Sequence, residues 1–358
     1  MADRWGGATP AALLDDLGHA IAERYRRVEL VLERKLRDLL ERSITAPPDL
    51  SARLRAIREL RAMSARLVAD LSPDDMAAAV AAIAGGASSA EISRLLLDMP
   101  GLGASTVTAG GLYGVAAAEV DLRDGLRALN ERILRAPADA YRAMTASTLA
   151  DMLAGQATWE QTQRRQVDRY LADGITGFID SGGRRWRIGS YAEMATRTAA
   201  ARAWRDQSVA SMRSHGIDTY QIVIGASACA ECAAWAGKTL TDGGPVGPTV
   251  APHAITGELV GITIDGTLAD ARRNGWAHPN CRCVLIPALP GYSAGSATTH
   301  DPAAELARDQ MRALERGVRD ARRTGGDVKA ASAALTDHTR KHGLARRSWR
   351  TMLEFAGA

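Results

Sequence analysis

Apolar side chains recur every three or four residues through the early part of the chain. Ile21, Tyr25, Val28, Leu32, Leu36 and Leu39 keep this interval with Arg and Glu between them, which predicts an amphipathic helix with one buried stripe. Pro47-Pro48 ends it, because proline cannot continue the hydrogen-bond ladder. A second helix is expected after an Asp49 or Ser51 cap, carrying Leu54, Ile57, Leu60 and Leu67. Ser72-Pro73-Asp74-Asp75 reads as another helix start. Gly85-Gly86 and Pro100-Gly101-Leu102-Gly103 read as breakers. Val120 to Leu134 predicts a helix stopped by Pro137.

The pattern changes near residue 174. Gly174 to Asp180 and Arg184 to Ile188 are β-prone runs joined by Ser181-Gly182-Gly183, the signature of a β-hairpin. A helix follows, with Ser190 as N-cap and Glu193 at capping-box spacing, running to Met212 and closed by His215-Gly216. Thr219 to Ile224 alternates and is β-branched, which predicts a strand. The segment from Gly237 to Gly275 is rich in Gly, Pro and Thr, with short strands expected around Leu259–Ile264 and again at Cys283 to Pro287. Pro290-Gly291 ends the compact region, and Gly291 to His300 reads as a linker. In the tail, Leu306, Met311, Leu314 and Val318 mark one face of a helix. The expected fold is α+β and predominantly helical. It comprises a helical N-terminal region (1–150), a small α+β domain with a Cys/His cluster (151–292) and a basic helical tail (300–358).

Composition narrows the class. The chain has 358 residues, 46% hydrophobic and 24% charged, with only 4% aromatic. That is ordinary for a globular protein, and the core must come from Ala, Leu, Val and Ile. No apolar run is expected to reach the ~18–20 residues that cross a bilayer, and the start has no cationic stretch leading into an apolar one. Synthesis in a cytoplasm and no membrane partner are the expectations. Twelve Lys and Arg stand against eight acids from Asp301 onward, so this tail carries the whole net charge of +4. It reads first as a solvated charged helix, and second as a contact for DNA or an acidic protein face. Arg184, Arg185 and Arg187 around Trp186 read as an exposed strand face with one packed aromatic.

Chemistry concentrates in one place. All four cysteines lie in Cys229-Ala-Glu-Cys232 and His278-Pro-Asn-Cys281-Arg-Cys283. A Cys-x-x-Cys turn aims two sulfurs at one point, and alternate residues of an extended Cys281-x-Cys283 share a face. Cys229, Cys232, His278, Cys281 and Cys283 are therefore five candidate ligands for a tetrahedral Zn²⁺, with His253 as a spare. The preferred set takes Cys229, Cys232, His278 and one of Cys281 or Cys283. Disulfides, redox chemistry and inert buried thiols are the other readings of the same residues. Four protein ligands would leave no open position for water, making the site structural. The metalloprotease His-Glu-x-x-His and the phosphate-binding Gly-x-x-x-x-Gly-Lys loop do not occur.

Several of these segments also carry a resemblance. Gly174 to Trp186, Ser190 to Thr198, Cys229 to Lys238, and His278 to Pro287 with Pro290-Gly291 resemble the phage minor capsid protein 2 family, as does Asp309 to Arg316. That family is similar in turn to Mu F-type head morphogenesis proteins, which share the Arg-Thr helix and the His-Pro-x-Cys-Arg-Cys signature. The resemblance spans roughly residues 150 to 350. Ala236 is a departure, standing where such proteins commonly have an acidic residue. The resemblance implies a non-enzymatic virion component of the phage head, acting in assembly beside the portal and capsid proteins. It also implies that Arg197 and Thr198 are structural anchors. A zinc-dependent maturation protease and a DNA-binding packaging cofactor are the competing expectations.

Overall fold

The computed structural model describes residues 10–42, 49–102, 115–153, 158, 160–165, 177–179, 185–225, 228–292, 300–324 and 326–344. The long helices α1 (Pro10–Glu41), α2 (Leu50–Ala69), α3 (Pro73–Leu97) and α4 (Ala116–Leu153) precede a short hairpin of β1 (Phe178–Ile179) and β2 (Arg185–Trp186). Helix α5 (Ile188–Ser214) then leads into the sheet region. There, β3 (Thr219–Val223), β4 (Thr239–Thr241), β7 (Gly266–Thr267) and β8 (Val284–Pro287) form one sheet in the order β7-β4-β3-β8. β3 runs antiparallel to both β4 and β8, while β4 and β7 are parallel. β5 (Gly247–Pro252) and β6 (Leu259–Ile264) form a separate antiparallel hairpin. Two short helices, α6 (Ala230–Ala233) and α7 (Leu268–Arg273), lie between strands, and α8 (Pro302–Thr324) with α9 (Val328–Lys341) make the tail. The chain is α+β and mostly helical, as its periodicity predicts.

The apolar stripe of α1 becomes the spine of the helical core. Ile21, Tyr25, Val28 and Leu32 are buried with Val80, Ala84, Leu122, Leu126 and Trp204 from α3, α4 and α5. Its C-terminal end packs Leu36 and Leu40 against Leu60 of α2 and Tyr141 and Met144 of α4. One buried polar link crosses this core: Tyr25 Oη donates to Asn130 Oδ1 at 3.0 Å, and Asn130 Nδ2 donates to the Leu71 carbonyl at 3.3 Å. A second core gathers Ile92 and Leu95 of α3, Val209 and Met212 of α5, and Tyr220, Ile222, Leu240, Trp276 and Leu285 of the sheet region. Helix α5 contributes to both cores and so connects the helices to the sheet.

Several boundaries differ from the sequence reading. Gly85-Gly86 does not break α3, which continues to Leu97. The ~1 kcal/mol each glycine costs a helix is outweighed by packing: Ala84, Gly85 and Ser88 are buried, and Ser88 Oγ donates to the Trp204 carbonyl of α5 at 2.8 Å. Nor does Pro137 stop α4; it lies inside that helix, flanked by buried Ile133, Ala138, Tyr141 and Met144 that hold the continuation in place. Helix α5 starts at Ile188 with Arg187 as N-cap and no side-chain cap bond. The Ser190–Glu193 capping box is unused because Glu193 is taken by Arg26 and Arg197.

The stretch Leu50–Leu97 includes an 18-residue window long and apolar enough to cross a membrane by length and composition, which corrects the sequence expectation; 44% of that window is buried inside the fold. In the tail, Met311, Leu314 and Val318 lie on the inward face of α8 as predicted, but Leu306 is 59% exposed and its neighbour Ala307 takes the buried position. The tail also packs back on the body, where Arg187 reaches Asp320 at 3.5 Å. Predicted features at Pro47-Pro48, the Ser181–Gly183 turn, Arg184, and most of the 291–300 linker lie outside the described residues.

Candidate metal centre

Two tight turns bring the cysteines and His278 together. Cys229 is the N-cap of α6, and its sulfur accepts the backbone N–H of Cys232 at 3.4 Å. His278 to Cys281 form the second turn, closed by the Cys281 N–H donating to the His278 carbonyl at 3.0 Å. Pro279 and Asn280 occupy its centre, and Asn280 has φ +65°, the arrangement that a type II turn requires. Among the described residues, the non-glycine positions with left-handed φ are Ala277 and Asn280, one on each side of His278. Each position costs of order 1–2 kcal/mol for an L-residue with a Cβ, less for asparagine. The surrounding contacts hold this strained turn in one shape.

Those contacts come from α5. Thr198 Oγ1 accepts the Asn280 N–H at 3.1 Å, and Arg197 Nη1 donates to Asn280 Oδ1 at 2.9 Å. Arg197 also donates from Nη2 to Glu193 Oε1 at 2.7 Å, and Arg26 of α1 pairs with the same carboxylate. Asp15 of α1 completes the node. Its Oδ1 lies 2.7 Å from Arg197 Nε, off the hydrogen-bond axis, and accepts from Arg282 Nε and Nη2 at 3.0 and 2.7 Å. Burial pushes the Glu193 carboxyl upward, but Arg26 and Arg197 outweigh it and hold the group below its ordinary range.

All five predicted donors fall in this cluster, in two overlapping triads. Cys229, Cys232 and His278 form one, and Cys232, Cys281 and Cys283 the other, with the donor atoms of each within 4.8 Å of one another. Cys232 Sγ lies 3.6 Å from Cys281 Sγ, close to the ~3.8 Å separating two sulfurs on a tetrahedral zinc. Cys229 Sγ lies 3.0 Å from His278 Nε2, the length of a hydrogen bond. His278 Nδ1 lies 2.8 Å from the Pro279 carbonyl and donates to it. That bond leaves the Nε2 lone pair facing the sulfurs, as a ligating imidazole requires. All four cysteines are unbridged. Donation from Cys232 and Cys283, together with the nearby Arg205, lowers the Cys281 thiol, whereas Cys232 is raised by its bonds to Cys281 and Cys283 and by burial.

His253, the spare ligand, is held elsewhere. Its Nδ1 accepts the backbone N–H groups of Ile255 and Thr256 at 3.4 and 3.3 Å, and its ring packs on Gly291. Sequence reasoning missed Arg205, which is 3% exposed and stacks 5.6 Å from the buried Trp276 ring. Its position was readable, since Ala201, Arg205, Ser208 and Met212 recur at helical spacing on the buried face of α5. Asp15 had no comparable signal, because its partners are far away in the chain.

Fold and site together define a class: a mainly helical α+β protein in which a Cys/His cluster gathers loop-rich segments against one long helix. The model of the phage minor capsid protein 2 family matches residues 52–354, and the chain belongs to that family. The match starts in α2, so the N-terminal helices from there onward fall within it, against the expected limit near residue 150. No curated protein and no solved structure matches the chain. Its role is therefore that of a phage structural protein, a minor component of the capsid.

Proposed function

We propose that this chain acts in assembly of the phage head, docked beside the portal, with the Cys/His cluster as a structural zinc site. The observation that carries the reading is the family match across residues 52–354. Two features support its structural character. The turn carrying His278 and Cys281 is also fixed by α5, and four protein ligands would leave no position for a reacting water. The segment from Gly237 to Gly275 has few large apolar residues, and a metal would supply ordering energy where apolar burial is short. Portal and capsid proteins are the proposed partners, with the virion head as location and host cytoplasm as the place of synthesis. DNA contact through the tail is secondary. Part of its charge is already engaged internally, as in Arg312 with Asp309 at 3.5 Å and Arg340 with Asp337 at 3.2 Å.

The test is deletion of the gene from its phage, followed by protein analysis of purified heads. The expected result is the chain in few copies per wild-type head, co-purifying with tagged portal, and defective heads without it. Heads of normal composition and infectivity in the deletion strain would overturn the reading. Steep loss of DNA affinity with salt in purified protein would raise the tail's role.

A further inference from the structure

We infer that the zinc ligands are Cys229, Cys232, His278 and Cys281, that Cys283 is not a ligand, and that Arg205 is the buried counter-cation of the resulting centre. This rests on the zinc reading above and goes on to specify the site. The two turns supply donors in the same way, one from the first and one from the fourth residue. Across the gap the first residues meet, Cys229 with His278, and the fourth residues meet, Cys232 with Cys281. Two knuckles facing each other in this manner can close on one ion as the two triads, which share Cys232, draw together, giving a closed structural site. Cys283 stands outside this arrangement, beyond the turn and immediately before β8. Cys281 and Cys283 share the inner triad with Cys232, so the choice between them rests on the turn, which ends at Cys281 with its N–H on the His278 carbonyl and leaves Cys283 outside. From there its S–H can donate to a ligand sulfur and take the supporting place common around metal thiolates.

Charge supports the same assignment. Arg205 is 3% exposed, its Nη1 has no hydrogen-bond partner, and Cys281 and Cys283 are among the groups whose charge it feels. A buried guanidinium is expensive unless an anion faces it. Zinc with three thiolates and one neutral imidazole carries one net negative charge, and Arg205 brings the buried group to neutrality. Replacing the imidazole by a fourth thiolate would leave one uncompensated negative charge beside that single cation. Asp206, the neighbouring carboxylate, already pairs outward with Arg202 at 3.4 Å and Arg272 at 3.2 Å.

The test uses the full-length chain loaded with zinc, and separately with cobalt as a visible probe. Wild type should bind one metal per chain, and X-ray absorption at the zinc edge should give three sulfurs and one nitrogen. Cys283→Ser should keep the metal and the tetrahedral cobalt spectrum, while Cys281→Ser should lose the metal or one sulfur-to-cobalt band. Arg205→Met should weaken zinc about 10–100-fold in chelator competition with the cobalt spectrum unchanged, and Arg205→Lys should recover much of that loss. Wild-type protein without stoichiometric metal would sink the zinc reading itself. A four-sulfur shell, or loss of metal in Cys283→Ser, would overturn the ligand assignment while leaving zinc in place. Arg205→Met that binds as tightly as wild type would overturn the counter-cation role. If Cys281→Ser does not fold, the wild-type absorption spectrum still fixes the donor types, and metal retention in Cys283→Ser still decides which of the two cysteines binds.

Discussion

Asp15→Asn removes one negative charge from the node joining α1 to the candidate metal turn and leaves its volume intact. Asp15 faces both Arg197 and Arg282, whose nitrogens approach its Oδ1 to between 2.7 and 3.0 Å. Together with Arg26 these make three cations against Asp15 and Glu193, so the substitution leaves three against one. Breaking a fully buried pair by neutralising one partner costs about 3–5 kcal/mol, mostly because the surviving charge remains buried. Here the side chains keep 12–19% of their exposure, and water offsets part of that, which brings the expected loss to about 2–3 kcal/mol. Urea unfolding of the full-length chain followed by circular dichroism measures it, with the denaturant slope checked against wild type. Arg282→Met should make most of the same loss, and the double variant should cost less than the sum by at least about 1 kcal/mol. A loss below about 0.5 kcal/mol, or strict additivity, would refute the claim that this node clamps α1 onto the turn.

Three further substitutions follow from the same structure. Glu193 titrates below its ordinary range in the folded state, so it contributes stability above that range that is lost as pH falls through it and below. Glu193→Gln should therefore flatten the acid limb of the stability profile, seen by melting temperature across an acid titration. Tyr25→Phe leaves Asn130 Oδ1 without its donor in the helical core and should cost about 1–2 kcal/mol in urea unfolding. Gly101→Ala would place a Cβ 2.6 Å from the His253 carbonyl and 2.7 Å from the Ile255 carbonyl carbon, both backbone. About 1–3 kcal/mol of destabilisation is expected, read as a lower melting temperature with helicity unchanged before melting.

Much of this molecule was legible in its sequence, and what was not has physical reasons. The apolar interval of α1 gave its buried face correctly, because a surface helix must turn one stripe to the core. Cysteine spacing located the site, since Cys-x-x-Cys and His-x-x-Cys are both turn-sized intervals. Failures came where tertiary contacts override local preference. Gly85 is tolerated in α3 because small residues let α5 approach closely, and Glu193 abandons a cap for two arginines. The match to the family extends further toward the N-terminus than the motif resemblance, because alanine-rich helices show few distinctive residues. Arg205 carries no motif of its own, although a charge on an otherwise small and apolar helix face is a signal in itself.

The tripeptide Cys281-Arg282-Cys283 shows how the two halves of the molecule depend on each other. Both sulfurs are buried with Cys232, while the intervening guanidinium reaches α1 at Asp15. In extended chain, alternate side chains take opposite sides, so ligand and tether are separated by a single residue step. A one-residue slip would turn Arg282 toward the sulfurs and the cysteines toward Asp15. Three independent contacts oppose that slip: the Cys281 N–H on the His278 carbonyl, the Asn280 N–H on Thr198, and the pairing of β8 with β3 starting at Val284. The site and the docking of α1 are therefore set by one register. Any change that moves it, an insertion between Cys281 and Val284 above all, should disable both at once, whereas loss of either partner alone leaves the other contacts to hold the strand.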